Sequence, residues 1–196
     1  MDLEKMLNAQ KELDNTIIKK KNLKDVNLTP NTFLALQVEL AEFANESRWF
    51  KHWSNNQTPR TKAVRNTTMM EEDKEYYNPQ LDEFADCTHF FLSIANQKGW
   101  QDALFILEEQ LAPDEFDGDV TGFFLEMTYF LNKSHFEVYK KGEEIAGFQK
   151  NEYWFRLAWM LFLNIGINGF GYTLNQIEQA YFLKNKINHQ RQKEDY

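Results

Sequence analysis

Residues 81–93 read LDEFADCTHFFLS, with Asn78-Pro79 just ahead of them and Gly99 just beyond. Asn followed by Pro starts a helix and a glycine ends one, so the spacing predicts a helix over about 80–97. Its apolar residues run round almost the whole circumference, which places it at the centre of a helical fold. Glu83 and Asp86 lie three apart in this helix, one turn above each other on one face.

The same arrangement recurs in residues 39–54, ELAEFANESRWFKHWS. Thr29-Pro30 predicts the start of this helix, with Thr as N-cap, and the helix is expected to run to about Trp53. Leu36, Leu40, Phe43 and Phe50 form its apolar stripe. Glu39 and Glu42 sit three apart on one flank of that stripe, at the edge of the core where a cleft can form, and Glu46 is expected to extend the cluster by a further turn. Single pairs of this kind are common. Two pairs on strongly apolar helices need an explanation, because clustered carboxylates repel and lose hydration. A divalent cation removes that penalty, and an oxygen-only donor set suits Mg²⁺, or Mn²⁺ as a substitute. Dinuclear iron in helical bundles normally uses Glu-x-x-His. Here His89 follows Asp86 instead, so Mg²⁺ is the better fit.

Composition agrees with one helical domain over residues 1–196, an all-α bundle. The chain holds 17 Phe, 8 Tyr and 5 Trp but only 8 Gly and 4 Pro, too few for the dense turns of an all-β fold. A net charge of −8 argues against a broad nucleic-acid or anionic-membrane surface. The lone Cys87 fits a reducing compartment, hence a cytoplasmic expectation. The apolar run Leu157–Ile167 falls short of the ~20 residues that span a bilayer and reads as a buried helix. Residues 3–23, 101–111, 120–140 and 151–167 are expected to be helical, 54–78 to be a long polar loop with a short helix near Glu71–Tyr76, and PDEFDGD at 113–119 a break. Thr173 and Gln176 form a capping box for a last helix to about Gln192. The large apolar residues of 154–167 also suggest a dimer interface.

The last helix places Lys184, Asn188, Arg191 and Gln192 within two adjacent turns. Such a set reads either as a solvated terminal helix or as a clamp for phosphate and sugar. His89, on an apolar helix, reads from pattern alone as a satisfied core histidine, and Trp49, Phe50 and Trp53 as core. No Gly-x-Ser-x-Gly elbow, P-loop or zinc spacing occurs. The remaining chemistry is a cation-assisted attack of water on phosphorus.

Together, LNAQKELDNTI at 7–17, the two acidic blocks and YFLKNKINHQRQ at 181–192 resemble the dimeric all-α dUTPases of some phages, bacteria and kinetoplastids. These belong to the wider all-α nucleoside triphosphate pyrophosphohydrolases, which include MazG-like enzymes. The resemblance implies a homodimeric bundle that binds Mg²⁺ and converts dUTP to dUMP and diphosphate, and dUDP to dUMP and phosphate. It implies Glu39, Glu42, Glu83 and Asp86 as metal ligands, with Glu42 also activating water. Gln10, Lys51, Trp53 and His89 would help form the nucleotide pocket, and Lys184, Asn188 and Arg191 would contact phosphate or sugar. The 55–78 loop is long for this family, and the Glu194-Asp195-Tyr196 ending departs from the Gly-Tyr of relatives. Two alternatives stay open: a pyrophosphohydrolase for another nucleotide such as dCTP, and a phage-type protein that also binds a repressor through the 54–78 or 113–122 loops.

Overall fold

The computed structural model describes residues 1–66, 70–138, 140 and 142–194. Six α-helices are found among them: α1 Leu3–Lys20, α2 Thr29–Ser47, α3 Pro79–Lys98, α4 Val120–Phe136, α5 Lys150–Asn164 and α6 Leu174–Lys193. Among the described residues there are also two two-stranded antiparallel ribbons, β1 Ala63–Val64 with β2 Tyr76–Tyr77 and β3 Glu144–Ile145 with β4 Phe148–Gln149, and between β1 and β2 the expected short helix is a 3₁₀ turn at Glu71–Asp73. The all-α bundle expected from composition is what forms.

Helix α3 occupies the centre. It packs along α2, and α1 and α6 also lie against it, while α4 and α5 form a second closely packed pair. Asn78 caps α3 by accepting from the Leu81 amide at 3.1 Å, Pro79 fills the first position, and Gly99 ends the helix at φ 71°. Residues on every side of α3 are buried, among them Phe84, Cys87, Thr88, Phe91, Leu92 and Ala95. Burial raises the Cys87 thiol well above its ordinary pKa, leaving it inert.

The core is aromatic. Phe84 stacks on Phe162 with centroids 4.0 Å apart, and Phe43 and Tyr172 meet it edge-on. Phe155, Trp159, Leu161, Phe162 and Leu163 of α5 are all buried within their own chain. These side chains of 154–167 are therefore consumed by this core, while Trp154, Met160 and Ile167 are only partly buried. The polar groups of α5 hold residues 101–111: Trp159 Nε1 donates to the Leu104 carbonyl, Arg156 to those of Ala103 and Phe105, and Asn164 to that of Gln110. With its carbonyls captured in this way, the segment forms two 3₁₀ turns, Gln101–Leu104 and Glu108–Leu111, in place of one short helix.

Several boundaries differ from the sequence reading. Helix α2 stops at Ser47 because Arg48 adopts φ 63°, and the chain turns through 49–54 where continued helix was expected. Its N-cap is Leu28, with no side-chain hydrogen bond, and Thr29 is already helical. Helix α4 ends at Phe136 and α5 at Asn164, after which Ile165–Gly169 widens into a π-turn. The Thr173–Gln176 capping box is present in both directions, at 3.1 and 2.9 Å.

That π-turn brings the Gly166 backbone onto Phe84: a Cβ at Gly166 would lie 2.5 Å from the ring. Phe84 is pinned by three aromatic neighbours, so the overlap cannot be relieved cheaply. Gly166→Ala should destabilise the fold by about 1–3 kcal/mol, as overpacking of a filled core does. Denaturant melts of the two proteins check this, and an unchanged midpoint would contradict the packing described.

Candidate active site

The packing of α2 on α3 brings the two acidic pairs together. Glu39, Glu83 and Asp86 each offer a carboxylate oxygen within 4.8 Å of the others. All three are half-buried. Glu42 stands one turn further along α2, exposed and outside that group of three, although its charge acts on both Glu39 and Glu83. Glu46 does not extend the cluster. It pairs with Arg60 at 3.2 Å and accepts the Arg60 amide at its carbonyl, tying residues 55–62 to the end of α2.

Lys184 of α6 enters from the opposite side. It is buried, with its ammonium 2.5 Å from Asp86 and 2.8 Å from Asp82. Asp82 also accepts from Arg65, at 2.9 Å, and so links the β1–β2 ribbon to α3 and α6. Arg65 lies over the Tyr77 ring as well. Asn188 and Arg191 follow on α6, and Arg191 Nη1 donates to Asn188 Oδ1 at 3.3 Å.

The electrostatics follow from burial and crowding. Burial raises the Glu39 and Glu83 carboxyls to about 7, and the neighbouring acids add to the rise. Burial also raises Asp86, against the opposing pull of Lys184. Asp82 is also partly desolvated, but hydrogen bonds and charge from Lys184 and Arg65 outweigh this and lower it. Lys184 is raised, because Asp86 and Asp82 outweigh its own desolvation. One lysine thus compensates only part of the cluster's charge. The donor set is all oxygen and carries an excess of negative charge, which fits a hard divalent cation.

The remaining residues of interest are more scattered. Gln10 and His89 are buried and bonded to each other, with Gln10 Oε1 2.6 Å from His89 Nδ1, and His89 stacks on Tyr181. Burial pushes His89 down to about 3, so it is neutral. Trp53 lies on the 49–54 turn, 67% exposed, with its ring against Phe50 and His52. Lys51 directs its ammonium at the Asn45 carbonyl, 3.3 Å away. Tyr196 lies outside the described residues. Asp82 and Arg65 were missed by sequence reasoning. Asp82 stands four before Asp86, on the same helical face, and that spacing could have drawn attention to it.

An all-α bundle with an oxygen-only carboxylate cluster, flanked by a buried lysine, defines a class of protein suited to holding a metal ion beside an anion. A family model described as dUTPase matches residues 2–69 and 70–196, so the chain belongs to the all-α dUTPase family. It is a dUTP diphosphatase, a hydrolase of a family that generally uses a divalent metal. No curated protein matches the chain. Among the described residues no single helix is long and apolar enough to cross a membrane.

Carboxyls raised from about 4.5 to about 7 take up protons on folding between those values, so the metal-free fold loses stability as pH rises through that window. Above pH 7 the penalty is complete, and a bound cation relieves it. Glu39→Gln or Glu83→Gln should therefore raise the melting temperature of metal-free protein at pH 8, with little effect at pH 4.5. Each should also remove the rise that Mn²⁺ produces in the unmodified protein. A variant that melts lower at pH 8 in EDTA would show that these carboxylates stabilise the fold.

Proposed function

We propose that the protein, as one domain, hydrolyses dUTP to dUMP and diphosphate, and dUDP to dUMP and phosphate, in an Mg²⁺-dependent reaction at the α2–α3 carboxylate cluster. The observation that carries this is the meeting of Glu39, Glu83 and Asp86 within 4.8 Å of one another beside Lys184. Glu39, Glu83 and Asp86 hold Mg²⁺, or Mn²⁺ in its place, with Glu42 as the fourth acid. The bound cation would offset the charge of the polyphosphate and lower the pKa of water. Glu42, exposed beside the cluster, orients the attacking water and accepts its proton. Lys184 and Arg191 supply positive charge to the phosphates, and Asn188 a directed hydrogen bond to phosphate or sugar. Lys184 begins in an ion pair with Asp86 and Asp82, so engagement of phosphate is an exchange of one anion for another. Trp53 and Lys51 on the exposed turn close over the nucleotide, and Gln10 and His89 stand behind the cluster as the inner wall of the pocket.

A pocket that hydrogen-bonds the uracil edge rejects cytosine, because an amino donor then faces donors that expect a carbonyl. A nucleotide panel in Mg²⁺ and in EDTA tests the whole reading. We expect dUTP to be preferred over dCTP and dTTP by at least about 100-fold, and EDTA to abolish turnover. Glu42→Gln should lower kcat by about 10²–10⁴-fold with its helical circular dichroism intact. Similar rates on dUTP and dCTP would favour a general pyrophosphohydrolase.

We also propose a homodimer, formed through a different surface from the one that composition suggested. Leu34 and Val38 of α2 and Leu125, Tyr129 and Phe136 of α4 are exposed, Phe136 by 75%. A Gln37–Asn132 hydrogen bond of 3.0 Å joins the two helices between them. An apolar groove lined by Ala41, Trp49, Phe124 and Leu125 continues the same face. Contiguous apolar surface of this kind marks an interface. Sedimentation should give about twice 23.4 kDa for the chain, and Leu125→Glu with Tyr129→Glu should give a folded monomer. A monomer at tens of micromolar without these changes would reject the dimer.

A further inference from the structure

A partly buried polar chain between α1, α2, α3 and α6 lies outside the carboxylate cluster. At its centre is Asp14, which accepts from Ser93 Oγ at 2.7 Å and from Gln10 Nε2 at 2.8 Å. Behind Ser93, Gln97 Nε2 donates to Ser93 Oγ at 3.1 Å and to Thr32 Oγ1 at 2.9 Å. Beyond Gln10, His89 Nδ1 lies 2.6 Å from Gln10 Oε1, and His89 Nε2 faces the Tyr181 carbonyl at 3.3 Å. The Tyr181 hydroxyl donates to the Met6 carbonyl at 2.9 Å.

We propose that Asp14 is a positioning residue that sets the tautomer of His89 through the side-chain amide of Gln10. A neutral imidazole carries one N–H, and the hydrogen bond at one nitrogen decides where it sits. Two arrangements of the chain are self-consistent. In the first, Asp14 is an acceptor at both oxygens, Gln10 turns its NH₂ to Asp14 and its carbonyl to His89, and the ring proton is on Nδ1. In the second, Asp14 donates, the amide is turned over to present its NH₂ to Nδ1, and the ring proton is on Nε2, pointing at the Tyr181 carbonyl. As a carboxylate Asp14 can only accept, at Oδ2 from Ser93 and at Oδ1 from Gln10, so the ionised side chain selects the first arrangement. The distances fit this arrangement: the contact that would hold the proton is 2.6 Å, and the one at Nε2 is longer, 3.3 Å.

Replacing the carboxylate by a carboxamide reverses the chain. In Asp14→Asn the new oxygen keeps the Ser93 bond, which leaves an NH₂ facing Gln10. The Gln10 amide turns over, and the ring proton moves to Nε2. The tautomer does not depend on the proposed reading in which Gln10 and His89 line the nucleotide pocket, so the two can fail separately.

The test is long-range ¹H–¹⁵N NMR of the full-length ¹⁵N-labelled chain, with the His89 ring signals identified by their loss in His89→Gln. We expect an Nδ1-protonated ring in the unmodified protein and an Nε2-protonated ring in Asp14→Asn. Gln10→Met removes the acceptor and should also move the proton to Nε2, which keeps the test open if Asp14→Asn does not fold. An Nε2-protonated ring in the unmodified protein would overturn the proposal. So would an Nδ1-protonated ring in either folded variant.

Discussion

Repulsion among half-buried carboxylates is the constraint on which the rest of the structure depends. Glu39, Glu83 and Asp86 bring oxygens within 4.8 Å of one another in a setting apolar enough to raise two of them to about 7. Left to themselves, α2 and α3 would move apart at this point. They do not, because the same helices bury Leu36, Leu40 and Phe43 against Phe84 and its aromatic neighbours. Burial of each such side chain contributes about 1.5–3 kcal/mol, and several acting together exceed the repulsion. The core thus holds a charge arrangement that favours a cation, and stability is given up where function requires it.

Lys184 converts that local frustration into a connection across the fold. Its ammonium bridges Asp86, in the cluster, and Asp82, which in turn holds Arg65 of the β1–β2 ribbon. α6 and the ribbon, far apart in sequence, are therefore tied to the same carboxylates. A buried lysine whose partners are both acids is stable only while at least one of them stays ionised nearby. Asp82 is the one held low by its partners, so it can keep Lys184 charged and oriented if Asp86 turns to another cation.

What was legible in the sequence was local. The i, i+3 acid pairs, the all-round apolar character of α3, Asn78-Pro79 and the Thr173–Gln176 box are patterns within one or two helical turns, and the structure contains each of them. What was missed depends on distant partners or on unusual backbone. Nothing in Arg48 announces a left-handed cap, since glycine ordinarily takes that position. The apolar run of α5 reads as a buried helix, and it is buried, but what covers it is not legible until α3 and the 101–111 segment are laid over it. Glu46 has the spacing of a cluster member, and only the return of Arg60 removes it. Asp82 reads as a helix-start acid until Lys184 and Arg65 meet it.

The same distinction separates the two halves of the candidate site. The half that would face a cation is made of long helices packed on an aromatic core, with Glu39, Glu83 and Asp86 already within 4.8 Å of one another. The part assigned to the base is divided between Gln10 and His89, buried and committed to each other, and Trp53, on an exposed turn that begins at a left-handed arginine. A nucleotide bound by its phosphates at the α2–α3 cluster would find its inner wall already formed and its outer wall still to be placed. On the proposed reading, discrimination among bases would depend on how the 49–54 turn closes, because the Trp53 ring there is 67% exposed in the free protein. Recognition of the phosphates and recognition of the base therefore make different demands on the chain: the first uses preorganised charge, and the second uses ordering of a short segment, whose entropy must be offset by the contacts it makes.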